Sequence, residues 1–386
     1  MTRRYRLRPF LVHSLAAGAL LLSYCSAPHP TSTPPAAANQ PIDTVRIHHA
    51  RGFSLRYAAA YPLLQRYGTT DTTRYWLLPH GQTRPDTLPP TDKVIHVPVQ
   101  RLVVTSTTHL GLVELLDARD HLVGIGQAKY VYDTAIRRRA ARGELQEVSV
   151  GGSLNLESVL ALQPDLVMVS ASPGAAVSQY QPLVDAGIPV VVNAEWQEAS
   201  PLGKAEWVKL LAVLLGKESV ANQRFAQITT TYDSLKQRVP TTAATPRVIT
   251  GSPFQGAWYV PGRNSYVGQL LRDARATWPG ENDTSAVSYN VALETLYPYG
   301  LRADYWINPG MYRQRSELRE KDERLAAFLP YRRGEVYAHT RRVSDSGGND
   351  YYESGAVRPD LVLADLIEIL HPEVLDHSLY YYRKLE

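Results

Sequence analysis

The residues of this 386-residue chain with most chemistry to offer are aromatic: it carries 24 Tyr against 5 Phe. A buried phenol needs a hydrogen-bond partner, so many of these hydroxyls are expected at a surface or in a binding site. They fall in groups. Tyr130 and Tyr132 follow the run GIGQ, Trp196 follows VVVNA, Trp258 and Tyr259 stand in GSPFQGAWYVPGRNSY, and Tyr351 and Tyr352 in GGNDYYESG. Rings grouped in this way could stack on a planar or amphipathic ligand, with Arg263 and Arg358 available for its carboxylate or phosphate groups. For any single ring the alternative is core packing or rim exposure. Other chemistries find less material. The eleven histidines are scattered, with only His48 and His49 adjacent, and no HxxxH, HExxH or Cys-containing set predicts a metal site. Neither a GxSxG elbow nor a G-x4-GK phosphate loop is present, and no residue is assigned a catalytic role.

The elements that must position these groups alternate regularly. RLVVTST (101–107) reads as an apolar strand, HLGLVELLDARD as a helix ending at Asp120, HLVGIG as a strand, LNLESVLALQ as a helix and DLVMVSA as a strand. QYQPLVDAG then reads as helix and IPVVVNA as strand. Short strands alternating with helices predict a parallel sheet covered on both faces, with its binding crevice in the loops after the strand ends. From 203 to 239 there is no proline, and Trp207, Leu211, Leu214, Leu215, Phe225, Ile228, Tyr232 and Leu235 recur at three- and four-residue intervals. That spacing predicts one long amphipathic helix or a nearly continuous pair, about 50 Å if unbroken. Alternation resumes with RVITGS and runs to DLVLADLIEILHP. The predicted fold class is therefore α/β: two Rossmann-like lobes, at 43–202 and 240–386, joined by one long α-helix, with a ligand cleft between them. The first lobe begins with a strand-rich portion from Asp43 to about His96, whose role the sequence leaves open.

Ahead of the lobes, residues 1–24 read as an export signal: Arg3, Arg4, Arg6 and Arg8 precede an apolar run, with no acid before Cys25. Cys25 is the only cysteine, which excludes an intrachain disulfide. The run Leu22-Ser23-Tyr24-Cys25 resembles the lipobox of bacterial lipoproteins, apart from Tyr24 where a small residue normally stands. The resemblance implies lipidation at Cys25; an ordinary secretory signal is the alternative. Residues 25–42, rich in Pro, Ala, Ser and Thr, read as a tether. Removing 1–24 takes away four arginines and no acid, lowering Lys plus Arg from 41 to 37 against 37 Asp plus Glu. The near-neutral remainder gives no electrostatic case for a nucleic-acid partner.

Residues 98–202 and 246–373, about three fifths of the chain, resemble periplasmic substrate-binding proteins of ABC transporters, of the helical-backbone class that carries ferric siderophores, haem and cobalamin. The resemblance lies in RLVVTSTTHLGLVELLDARDHLVGIG, VGGSLNLESVLALQPDLVMVS and GIPVV, then ALETLYPYGLRADYWI and RPDLVLADLIEILHPE, with NLExxLALxPDLV the most specific run. It implies a non-catalytic, monomeric carrier in the periplasm, anchored to the membrane by its N-terminal lipid, whose partners are an ABC permease and its ATPase subunits. No cofactor is implied; the ligand would be a metal already chelated, with ferric siderophore the first choice, cobalamin second and haem third. Glu157 and Glu294 hold equivalent places in the two lobes, and the family's acids at these places dock on permease arginines. Helix capping is the alternative reading for both. An extracytoplasmic hydrolase or a ligand sensor using the same cleft is the rival function.

Overall fold

The structure, a computed structural model, describes residues 44–58, 60–68, 71–170, 177–241 and 244–386. The signal, Cys25 and the tether lie outside these. The described chain opens with a four-stranded sheet of β1 (Phe53–Tyr57), β2 (Pro62–Tyr67), β3 (Thr72–Pro79) and β4 (Lys93–Val97), antiparallel except for the parallel pair β3–β4. Its inward side chains Phe53, Leu64, Tyr75, Leu77 and Ile95 join the main core of the first lobe. The Tyr75 hydroxyl donates to the Val190 carbonyl at 2.9 Å, so the sheet is part of that lobe.

The lobe itself alternates as the apolar runs predict: β5 (Leu102–Val104), α1 (Thr107–Leu115), β6 (Leu122–Ile125), α2 (Thr134–Ala141), β7 (Gln146–Glu147), the small ribbon β8 (Ser149–Val150) and β9 (Ser153–Leu154), α3 (Leu156–Leu162), β10 (Leu166–Ser170), α4 (Gln181–Asp185) and β11 (Val190–Asn193). The sheet order β11-β10-β5-β6-β7 is parallel throughout. Successive side chains leave on opposite faces. Leu102, Val104 and Met168 accordingly enter one core, while Val103, Val167 and Val169 enter another beneath α3 and α4. Burial on both faces is why these strands read as unbroken apolar runs.

The helix predicted at 203–239, single or as a nearly continuous pair, is corrected to three: α5 (Pro201–Glu206), α6 (Val208–Leu215) and α7 (Glu218–Arg238). Gly216 takes a left-handed φ of 66° and ends α6, a conformation that glycine adopts without penalty. The spanning element is thus α7 alone, about 32 Å long. Ala221 and Phe225 on it pack into the first lobe's core, and Ile228, Tyr232 and Leu235 into the second's. The second lobe follows with β12 (Val248–Thr250), β13 (Trp258–Pro261), α8 (Tyr266–Asp273), β14 (Ser288–Val291), α9 (Leu293–Gly300), β15 (Tyr305–Ile307), α10 (Arg315–Lys321), α11 (Leu329–Arg333), β16 (Val336–Ala338), α12 (Pro359–Leu370) and β17 (Arg383–Lys384). Its sheet order is β12-β15-β16-β17, with only the last strand antiparallel.

Buried carboxylates fasten the parts. Glu206 is fully buried and accepts from the main-chain N–H groups of His48, His49 and Ala50 at 2.6–3.1 Å, and from Lys209 Nζ at 2.8 Å. Burial pulls its pKa upward, but Lys209 and the main-chain donors outweigh that and hold it below the ordinary value. Between the lobes the fastener is Glu353, in the loop between β16 and α12, which accepts from Tyr132 N at 2.7 Å and Asp133 N at 3.0 Å. Two glycines let the backbones meet there: a Cβ at Gly111 would lie 2.2 Å from the Glu353 carbonyl oxygen, and one at Gly348 2.3 Å from that of Val131. Arg342 of the same loop pairs with Asp350 and lies over the rings of Tyr132 and Tyr380. Glu114, Asp133 and Glu353 form a group whose ligand atoms lie within 4.8 Å of one another, with Arg119 paired to the first two.

Two consequences can be measured. Glu206→Ala leaves three main-chain N–H groups and Lys209 without their acceptor, so urea unfolding should show a loss of about 3–5 kcal/mol; an unchanged midpoint would contradict the fastening role. Burial raises the Glu353 carboxyl from 4.5 to about 8, against the main-chain bonds that lower it, with Asp350 and Asp133 adding to the rise. The folded chain then holds a proton that the unfolded chain releases, so stability should fall as pH rises from about 4.5 to about 8. Glu353→Gln should flatten that slope; an identical slope in the variant would assign it to other groups.

Candidate ligand-binding cleft

A cleft of about 660 Å³ opens where the parallel strands of the first lobe end. One wall comes from Thr105, Ser106 and Thr107 after β5, from Gly126, Gln127, Lys129 and Tyr130 after β6, and from Ser149, Gly151 and Gly152 around the β8–β9 turn. Met311 after β15, and Gly347, Asn349 and Tyr352 after β16, form the other. Strand order reverses at β5, and such a switch point is where open α/β sheets leave a crevice. The local reason is visible in RLVVTST: the apolar strand gives way to hydroxyl residues, and Ser106 caps α1 by accepting from Thr108 N at 3.3 Å. The positive end of α1 therefore faces the cleft.

Lys129 is the sole charged residue of the described lining, which holds no His, Cys, Asp or Glu. Its ammonium lies 4.7 Å from the ring centroid of Tyr130, whose side chain is 55% exposed. Facing from the second lobe, Tyr352 is 48% exposed, and its hydroxyl lies 2.9 Å from His339 Nε2. His339 Nδ1 is 2.8 Å from Asn308 Oδ1, and the ring of Tyr351 lies tilted against the imidazole with centroids 4.5 Å apart. Burial pushes His339 down to about 4, so the imidazole is neutral at ordinary pH. Hydroxyls, glycine backbone, two half-exposed phenols and one cation can enclose a ligand of drug-like size through stacking and hydrogen bonds.

Of the residues singled out in the sequence, Tyr130 and Tyr352 line this cleft, one from each lobe. Tyr132 and Tyr351 sit just behind it, the first under Arg342 in the interlobe contact and the second against His339. Trp258 is corrected: it is fully buried, donates from Nε1 to the Thr250 carbonyl at 2.7 Å and packs on Trp306 and Phe328. It points inward because β13 alternates, which turns Tyr259 outward, 50% exposed and away from the described lining. Trp196, 41% exposed in the turn after β11, also lies outside it. Both arginines are corrected as well. Arg263 borders a separate depression with Arg272 and Trp278, and Arg358 is held by Asp360 at 2.7 and 2.9 Å beside Arg224 and Tyr381. Glu157 and Glu294 each occupy the second position of a short helix, α3 and α9, and both are exposed. Glu157 makes no ion pair among the described residues, whereas Glu294 pairs with Arg324 at 2.8 Å. The cleft residues that sequence reasoning missed are the small polar ones, Thr105 to Thr107, Ser149 and Asn349, together with Lys129 and Met311. The abrupt change from apolar to hydroxyl residues at TST was the available signal.

The periplasmic binding protein family model matches residues 102–321. An uncharacterised lipoprotein of Methanocaldococcus jannaschii is 26% identical over 294 residues, covering 73% of this chain and 67% of its own length. A second from the same organism is 23% identical, covering 76% of each. Among solved structures, a periplasmic haem-binding protein of Roseiflexus sp. RS-1 superposes with a TM-score of 0.53 at 18% identity, covering 72% of this chain and 99% of that one. The molybdate-bound periplasmic binding protein of Haemophilus influenzae gives 0.54 at 18% identity, covering 72% and 88%. These likenesses establish the two-lobe fold, and the family match spans more than half of the sequence: the chain belongs to the periplasmic binding protein family of ABC importers.

Proposed function

We propose that this protein is a non-catalytic substrate-binding lipoprotein, anchored through Cys25, that captures a metal chelate in the interlobe cleft and delivers it to an ABC permease. The observation that carries the reading is the composition of the cleft. Two half-exposed phenols line, from separate lobes, a volume suited to a chelate, while the described lining has no side chain of the types that ordinarily seize a bare metal ion. The metal therefore comes with its own ligands. With Arg263 and Arg358 elsewhere, Lys129 and the start of α1 are the positive features left, which favours a chelate of low net charge over a strongly anionic one. A ferric siderophore of the hydroxamate kind fits that description best, ahead of cobalamin and haem. The solved haem and molybdate carriers support the general type, and the two relatives named lipoproteins support the anchor.

Glu157 and Glu294 are the proposed docking acids. Both are exposed in the first turn of a helix, where the dipole stabilises a carboxylate, and opposed charges at a contact set register and association rate.

Equilibrium binding of a ferric trihydroxamate, cyanocobalamin and haemin to the full-length chain should show saturable binding of one of them, weakened about tenfold or more in Tyr130→Ala. Binding of none, or an unaffected variant, would contradict the cleft reading. In cells carrying the importer, Glu157→Ala combined with Glu294→Ala should abolish chelate uptake and leave the binding constant unchanged. A weakened binding constant would place those acids in ligand capture instead.

A further inference from the structure

The hydrogen-bond polarity of the second lobe's wall follows from an ordered chain of buried groups. Asn308, after β15, lies beside the buried phenols of Tyr351 and Tyr382, whose pKa values burial raises. The Asn308 side-chain oxygen lies 2.8 Å from His339 Nδ1, and a carbonyl oxygen can only accept. Nδ1 must then carry the ring hydrogen. The imidazole is 4% exposed and neutral, so Nε2 is left as an acceptor, and the Tyr352 hydroxyl 2.9 Å away donates to it. What Tyr352 turns to the cleft is its oxygen lone pairs. Several other donors of this wall are committed too. Asn349 Nδ2 donates to the His339 carbonyl at 3.0 Å and to Met311 Sδ at 3.1 Å, while Gly347 N and Gly348 N donate to Ser344. Across the cleft Lys129 can only donate.

We propose that Tyr352 is a specificity-determining acceptor, oriented by His339 and Asn308, and that the ligand is bipolar: it turns acceptors toward Lys129 and α1, and a donor such as a protonated amine toward Tyr352. This rests on the chelate reading and narrows it to chelates that carry such a donor. Phenol and imidazole together act as one fixed polar contact, since rotating the hydroxyl toward the ligand would leave buried Nε2 unpaired.

The test has two arms on the full-length chain. Long-range proton–nitrogen spectra of the histidine rings, with His339 assigned through His339→Gln, should show a neutral ring protonated on Nδ1 between about pH 5 and 8. A ring protonated on Nε2, or on both nitrogens, overturns the proposal. A ferric trihydroxamate with a free terminal amine should bind about ten- to a hundredfold more tightly than its N-acetylated counterpart. Tyr352→Phe should erase that preference while still unfolding cooperatively, with a midpoint lowered by the lost bond to His339. Equal affinities in the wild-type chain overturn this inference alone, and a preference that survives in Tyr352→Phe does the same. If neither chelate binds, the carrier reading for ferric hydroxamates falls and this inference falls with it.

Discussion

Phe225 and Ile228 stand three residues apart on α7, yet one packs into the core of the first lobe and the other into the core of the second. A helix buried at both ends in this way cannot rotate or slide without opening one core, and core vacancies cost several kcal/mol each. The two lobes are thus hung on one rigid rod. The loop carrying Glu353 adds a second point of attachment at the cleft, close enough that Gly111 and Gly348 leave no room for a side chain. Two attachments fix the distance between Tyr130 and Tyr352 far more firmly than one would. Such a frame restrains the movement of one lobe against the other.

The same chemical device recurs wherever the chain must be tied to a distant part of itself: a buried carboxylate that accepts several main-chain N–H groups. Glu206 and Glu198 hold residues 48–52, and Glu353 holds the start of α2. Asp365, fully buried on α12, accepts from Tyr380 N, Tyr381 N, Tyr382 N and His377 Nε2 and so binds the C-terminal segment back onto the second lobe. That contact also raises the pKa of His377. Where the acid is held ionised, as Glu206 is beside Lys209, such bonds are charge-assisted and stronger than neutral ones, and bonds of either kind are costly to lose when buried. Two of the segments so tied, 48–52 and 380–382, lie outside the family match at 102–321.

Legibility in the sequence followed the range of the forces involved. The strands at Leu102–Val104 and Leu166–Ser170 and the helices between them were readable because burial on both faces leaves a local signature. The break at Gly216 was less so, since the apolar spacing continues across it and only the left-handed turn interrupts the helix. Tyr130 and Tyr352, which line the cleft, were singled out through the clustering of rings. Trp258 and Arg358 were misplaced for opposite reasons: the first belongs to a strand parity that a loop reading hides, and the second has its partner Asp360 two residues away, so its charge was already spent. No local pattern announces Glu353, whose partners lie more than 200 positions earlier, or the pairing of His339 with Tyr352.

The cleft reading requires that a single ligand touch both lobes at once. Hydrogen–deuterium exchange of the full-length chain, compared with and without whichever of ferric trihydroxamate, cyanocobalamin or haemin binds, tests this directly. Added protection is predicted together in residues 104–110 and 126–131 of the first lobe and 347–352 of the second, with β1 to β4 unchanged. Protection confined to one lobe, or centred on the N-terminal sheet, would contradict a cleft that holds its cargo between the lobes.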